Sequence, residues 1–190
     1  MKRSIRQIPS RRLFLKGVGA CALAGLSSNE TFAQGILRAA GKMRRLNVLR
    51  SDNGQRLHTV YWIEGEYIAP AIEEINYFCR DAETNTVHAI DPRVIDIAAA
   101  VHNLLDTNEP FTLKRGFVLD RFRVRDGHFS EAQPSDLHHA RGKALDISLR
   151  SRSVKQISLA AIRCNAGGVG SYPTRQYVHI DCGHIRNWSG

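Results

Sequence analysis

The sequence predicts an α+β domain in which a small antiparallel sheet is flanked by helices. Three observations carry this: helix-like apolar stripes precede the strand-like runs, the links near the C-terminus are short enough for antiparallel pairing, and no segment repeats. A length of 190 residues allows one domain and hardly two. With 43% hydrophobic and 24% charged residues, the chain can bury a core, which excludes collagen-like, coiled-coil and low-complexity readings.

In chain order, Ser10, Arg11, Arg12, Leu13, Phe14, Leu15 and Lys16 form a twin-arginine export motif, followed by an apolar small-residue stretch over 17–26 and a polar stretch ending in Thr31, Phe32 and Ala33. A charged n-region, a short h-region and a small-residue cleavage site make 1–33 a signal peptide, with processing expected after Ala33 and the mature protein in the periplasm. The apolar stretch falls well short of the ~18 residues that span a bilayer. Val18, Gly19, Ala20 and Cys21 look like a lipobox, although the apolar run continues past the cysteine. Lys2, Arg3, Arg6, Arg11, Arg12 and Lys16 against Glu30 alone supply much of the formal charge of +9. The remainder is too small to argue for nucleic acid without a matching motif.

Residues 34–44 read as a basic linker and 45–190 as one domain. Leu46–Leu49 and Leu57–Trp62 are apolar runs separated by Asp52, Asn53 and Gly54, a hairpin signal. Pro70 opens a helix with Ile72, Ile75 and Phe78 on one face. Asp91 and Pro92 are an N-cap and first-turn pair, and Val94, Ile95, Ile97, Ala98, Val101, Leu104 and Leu105 predict a core helix to about Asp106. Phe111–Val118 and Ala144–Leu149 read as strands, with a long Arg-rich loop over 119–137 between them. Ser153 and Gln156 form a capping box for a helix reaching about Cys164. A glycine-containing turn at Gly167, Gly168 and Gly170 then leads to a last strand, Tyr177–Asp181. After processing, Cys79, Cys164 and Cys182 remain, enough for at most one intramolecular disulfide; without a CxxC pair, neither a zinc knuckle nor a thioredoxin-like site is expected.

Histidines concentrate near the C-terminus, at His128, His138, His139, His179 and His184. His139 stands seven residues before Asp146, with Gly142 and Ala144 between, and His179 lies in a strand-like run. Two imidazoles and a carboxylate suffice for a catalytic zinc ion with the fourth position left to water, which the metal would acidify toward a pKa of about 7. Small residues would let the backbone between the first two ligands turn tightly. On spacing alone such a pair is common by chance, and surface or buried polar residues remain the simpler reading.

The motifs go further than the spacing. His139, Gly142, Ala144 and Asp146 fill an H-x-x-G-x-A-x-D signature. Ala166–Gly170 with Tyr172 and Pro173 form a second block, and Tyr177–Asp181 with Gly183, Arg186 and Trp188 form a third. In these, and in Asn76–Asp81 and Ile90–Pro92, the chain from about Leu46 to Trp188 resembles the YcbK-like murein endopeptidases, in the superfamily of zinc D-alanyl-D-alanine peptidases. The resemblance implies Zn2+ held on the sheet by His139, Asp146 and His179, and a hydrolase acting on peptide bonds of peptidoglycan.

The chain also departs from that family. The central strand, usually Ser-Gly-Tyr-Arg-Ser, reads Arg115, Gly116, Phe117, Val118, Leu119, so Val118 replaces an arginine associated with substrate or oxyanion binding. Leu137 replaces a serine two positions before the first ligand, and Gln176 stands where carboxypeptidase relatives carry a carboxylate. Arg115, Arg121 or Arg123 would compensate for Val118, with Arg115 and Arg121 the expected substrate contacts. Asp181, two residues beyond His179 and on the same strand face, is the first candidate for the catalytic proton acceptor. Its other reading is as acceptor of the imidazole's second N–H; His138 and His184 are lesser candidates. A cell-wall binding protein that keeps the fold without turnover is the alternative function.

Replacing Arg11 and Arg12 by lysine is expected to strand the precursor in the cytoplasm, as read by fractionation and immunoblotting. Unchanged periplasmic levels would contradict the export assignment.

Overall fold

The structure is a computed structural model and describes residues 42–119, 124–125, 128–129 and 134–190. The expected signal peptide with Arg11 and Arg12, most of the expected linker, and Arg121 and Arg123 lie outside the described residues. In order the elements are β1 (Met43–Arg50), β2 (Arg56–Ile63), β3 (Glu66–Tyr67), α1 (Ala69–Phe78), α2 (Pro92–Leu104), β4 (Phe111–Arg115), β5 (Val124–Arg125), β6 (His128–Phe129), α3 (Pro134–Ala140), β7 (Ala144–Ser148), α4 (Val154–Cys164), β8 (Gly168–Tyr172), β9 (Tyr177–Asp181) and β10 (Arg186–Ser189).

The α+β class holds, but the sheet is larger than expected and not wholly antiparallel. Eight strands follow the order β10-β8-β9-β7-β4-β1-β2-β3. β1 with β4 and β10 with β8 pair in parallel, and the other pairs are antiparallel. The hairpin forms as read, with Gly54 at φ 72°. Helix α2 starts where Asp91 accepts the Arg93 N–H, and α4 carries the reciprocal Ser153–Gln156 capping box. Cys79, Cys164 and Cys182 are free thiols, the first two buried.

Five readings need correction, the first that Tyr177–Asp181 is the last strand: β10 follows it and pairs with β8. Gly168 and Gly170 lie inside strand β8 rather than in a turn; they are small because side chains from β10 cross over them. The strand expected to reach Val118 ends at Arg115. Helix α3 occupies the end of the segment read as a loop. Met43 and Arg44 belong to β1 rather than to the linker, and Arg44 is drawn in because its guanidinium lies 4.0 Å over the Trp62 ring and reaches Asp96 at 2.8 Å.

Alternation along the strands divides the sheet into two faces. Leu145, Ile147, Val169, Val178 and Ile180 are buried in one core with Val94, Ile97 and Val101 of α2 and Ile157 and Ala161 of α4. Asp146, His179 and Asp181 alternate with them and point to the opposite face, which α3 approaches. In β4 a bulge between Leu113 and Arg115 places Leu113 opposite core-facing Ile147 but Arg115 opposite Asp146. The extra residue, Lys114, thereby turns Arg115 to the ligand face.

One charge is buried within the α2 core stripe. Asp96 accepts hydrogen bonds from the Tyr61 hydroxyl at 2.9 Å and the Tyr67 hydroxyl at 2.6 Å, besides its ion pair with Arg44. Removing one partner of a buried ionic cluster leaves the other uncompensated. Asp96→Ala is therefore expected to lower unfolding free energy by about 3 kcal/mol or more. Tyr61→Phe, which deletes one hydrogen bond, should cost about 1 kcal/mol. Urea titrations of the three proteins check both.

Candidate metal centre

Each of the three sequence-predicted ligands comes from a different element. His139 stands in the last turn of α3. After it the chain turns at Gly142, whose φ is 65° and whose missing Cβ leaves room for the Ala89 carbonyl; the Gly142 carbonyl also accepts the Asp91 N–H at 2.8 Å, tying the ligand's turn to the start of α2. Any other residue would combine a left-handed backbone with a clash, which explains the glycine. Asp146 and His179 are cross-strand partners on β7 and β9.

The three side chains are buried and their ligand atoms converge. Asp146 Oδ1 lies 3.1 Å from His139 Nε2 and 2.9 Å from His179 Nδ1, and the two nitrogens are 3.2 Å apart. The far nitrogen of each ring is committed. His139 Nδ1 lies 2.7 Å from the Gly116 carbonyl oxygen, which can only accept, so this nitrogen carries the proton. His179 Nε2 lies 3.1 Å from Asp181 Oδ2 and donates likewise. Both inward nitrogens are then lone-pair donors to a ligand, facing a carboxylate oxygen with no hydrogen among them. A cation at their centre resolves that conflict, and two imidazoles with one carboxylate are a donor set for a transition-metal ion. Among the described residues this is the group of metal-ligating side chains that converges.

A proton on an inward nitrogen would meet the same demand as a cation, and the titration directions reflect that positive charge: burial alone would raise the Asp146 carboxyl, yet interaction with the two imidazoles holds it well below the usual carboxylate range. Burial would lower His179, but Asp146 and Asp181 hold it above its ordinary value. Burial also opposes ionisation of Asp181, and His179 and Arg186 outweigh it.

The remaining sequence candidates divide. Arg115 Nε forms an ion pair with Asp146 Oδ2 at 3.2 Å, and its side chain is 35% exposed, so it stands at the rim. A cavity of about 50 Å³ lined by Arg50, Arg80, Lys114, Phe117 and Val118 shares Arg115 and Gly116 with the centre. Asp181 is brought in, but at the ring edge of His179 opposite the ligand atom, and it also accepts from Arg186, Gly168 and Gly183. His138 is half-buried and His184 exposed. Gln176 sits in the β8–β9 turn, bonded to the Pro173 carbonyl. Arg121 is outside the described residues. Sequence reasoning placed Arg186 and Trp188 in the third motif block without a role for either; the alternate glycines of β8 are the signal that could have assigned one.

Residues 38–188 match the protein family described as Peptidoglycan L,D-endopeptidase MepK. The chain is similar to the peptidoglycan L,D-endopeptidase MepK of Escherichia coli (strain K12), 32% identical over 149 residues that cover 76% of this chain and 80% of that protein. It is also similar to the probable peptidoglycan L,D-endopeptidase MepK of Haemophilus influenzae, 26% identical over 150 residues, 78% of this chain and 81% of that protein. No solved structure matches.

The purified protein is expected to hold one metal ion per chain by elemental analysis. His139→Ala and His179→Ala should each lose it while keeping the parental circular dichroism. Full occupancy in either variant would overturn the ligand set.

Proposed function

We infer, from the premise that this chain belongs to the peptidoglycan L,D-endopeptidase MepK family, that it is an exported zinc hydrolase cutting peptide bonds in murein cross-links. The observation that carries the reading is the buried convergence of His139 Nε2, Asp146 Oδ1 and His179 Nδ1 with both outer ring nitrogens already committed. Zinc suits two imidazoles and a carboxylate, and when bound it supplies Lewis acidity to a water and to the scissile carbonyl. The twin-arginine motif, through which folded and metal-loaded proteins leave the cytoplasm, supports a periplasmic site of action.

The chain's own residues divide the work. Gly116 and Asp181 fix the two imidazoles. Arg115 holds the outer oxygen of Asp146, which leaves Oδ1 for the ion. Its side chain is partly exposed, and a guanidinium there can take a peptide carboxylate or the developing negative oxygen, the task left open by Val118. Arg121 is a second contact in this proposal. Asp181 acts by holding His179, since its oxygens are already shared among four donors and it lies behind the ring. The proton relay therefore falls to another group.

Incubation with purified sacculi, followed by chromatography of the released muropeptides, tests the reading. Cross-linked species should decline, chelation should stop the reaction, and added zinc should restore it. Arg115→Ala should bind zinc more weakly, because it frees the outer oxygen of Asp146, and should lose about 10²-fold in turnover even at zinc concentrations that saturate the site. A protein that carries zinc yet releases nothing would favour the cell-wall binding alternative, for which Val118 speaks.

A further inference from the structure

Arg186 and Trp188 stand on edge strand β10, two strands from His179. Register sets Arg186 beside Gly168 and Trp188 beside Gly170, and pairs those glycines with Asp181 and His179. Neither glycine has a positive φ, so backbone conformation does not require them. Space does. A Cβ on Gly168 would fall against the Arg186 guanidinium and the Asp181 carboxylate, and one on Gly170 would meet the Trp188 indole at 2.6 Å. The two bare positions let β10 side chains lie across β8 and reach β9.

Through the first gap Arg186 grips Asp181 with a two-point fork, Nη1 to Oδ1 at 3.1 Å and Nη2 to Oδ2 at 2.8 Å. The N–H groups of Gly183 and Gly168 complete Oδ1 at 2.8 and 3.2 Å. Oδ2 then faces His179 Nε2. A fork of two parallel hydrogen bonds fixes the plane of a carboxylate as well as its position, which a point charge cannot do. The plane of Asp181 in turn aims the imidazole.

We propose that Arg186 is a positioning residue of the metal centre, acting through Asp181 to keep His179 Nδ1 aimed at the ion, and that Gly168 exists to admit it. The inference rests on the metal assignment above. The Arg186 side chain is 34% exposed, and it bonds to the site through Asp181; its guanidinium also lies 4.8 Å over the Trp188 ring, which packs 5.4 Å from the His179 ring without a hydrogen bond to it.

The test is zinc affinity of the metal-free full-length protein, measured by competition with a chromogenic chelator, together with its melting temperature. Arg186→Met should weaken zinc about 10- to 100-fold in a protein that is still folded at the assay temperature, with a lower metal-free melting temperature because buried Asp181 loses its ion pair. Arg186→Lys, which keeps charge and fold but not the fork, should recover only part of the loss. Gly168→Ala should weaken zinc although both partners remain. Asp181→Asn should lose as much as Arg186→Met, and the double variant no more than the worse single, because both act along one path. Parental affinity in Arg186→Met, or additive losses in the double variant, would overturn the proposal. Absence of zinc binding by the parent would instead overturn the metal assignment itself, and this inference with it.

Discussion

Two imidazole nitrogens and a carboxylate oxygen, mutually within 3.2 Å and shut away from water, repel one another unless a positive charge lies among them. That demand organises the protein. Each ligand has its other atom held from a different direction: His139 by the carbonyl after β4, His179 by Asp181 beside it on β9, and Asp146 by Arg115 across the strand. None of the three can turn its lone pair away to relieve the crowding, so the fold keeps the point of convergence ready for a cation.

The core makes that convergence robust. Val178 and Ile180 alternate with His179 and Asp181, and both are fully buried. A one-residue slip of β9 would exchange the two sets and forfeit roughly 3 to 6 kcal/mol of burial, at about 1.5 to 3 kcal/mol per side chain. The apolar face thus decides where the polar face points, and helices that never touch the ion hold its ligands in register. On the polar face, bare positions in β8 serve what side chains serve elsewhere: they let an outer strand contribute to a centre two strands away.

Much of this is legible in the sequence because it depends on local signals. The Asp91–Pro92 start and apolar stripe give α2, the Ser153–Gln156 pair gives α4, and the spacing around His139 and Asp146, with its family resemblance, gives the ligands. What escapes reading depends on partners distant in the chain. Gly168 and Gly170 look like turn residues because their reason, the Arg186 and Trp188 side chains, appears only after β10 has paired with β8. Asp96 interrupts an apolar stripe without any local sign that two tyrosines and Arg44 will meet it. Asp181 could be placed near His179 from alternation, yet only the ring's orientation tells which nitrogen it meets.

The bulge in β4 carries information of a different kind from that of its side chains. Leu113 and Arg115 are two apart, and in an unbroken strand both would face the same way. One inserted position, Lys114, sends the leucine into the core and the arginine to the rim. The placement of a cation at the mouth of the centre is thus written in a count of residues rather than in their identities. Variation in this strand is accordingly subject to two separate rules: exchanges at Lys114 leave the geometry alone and its deletion would straighten the strand with Leu113 and Arg115 still on opposite faces, whereas drawing Lys114 into the ladder would carry Arg115 to the core side.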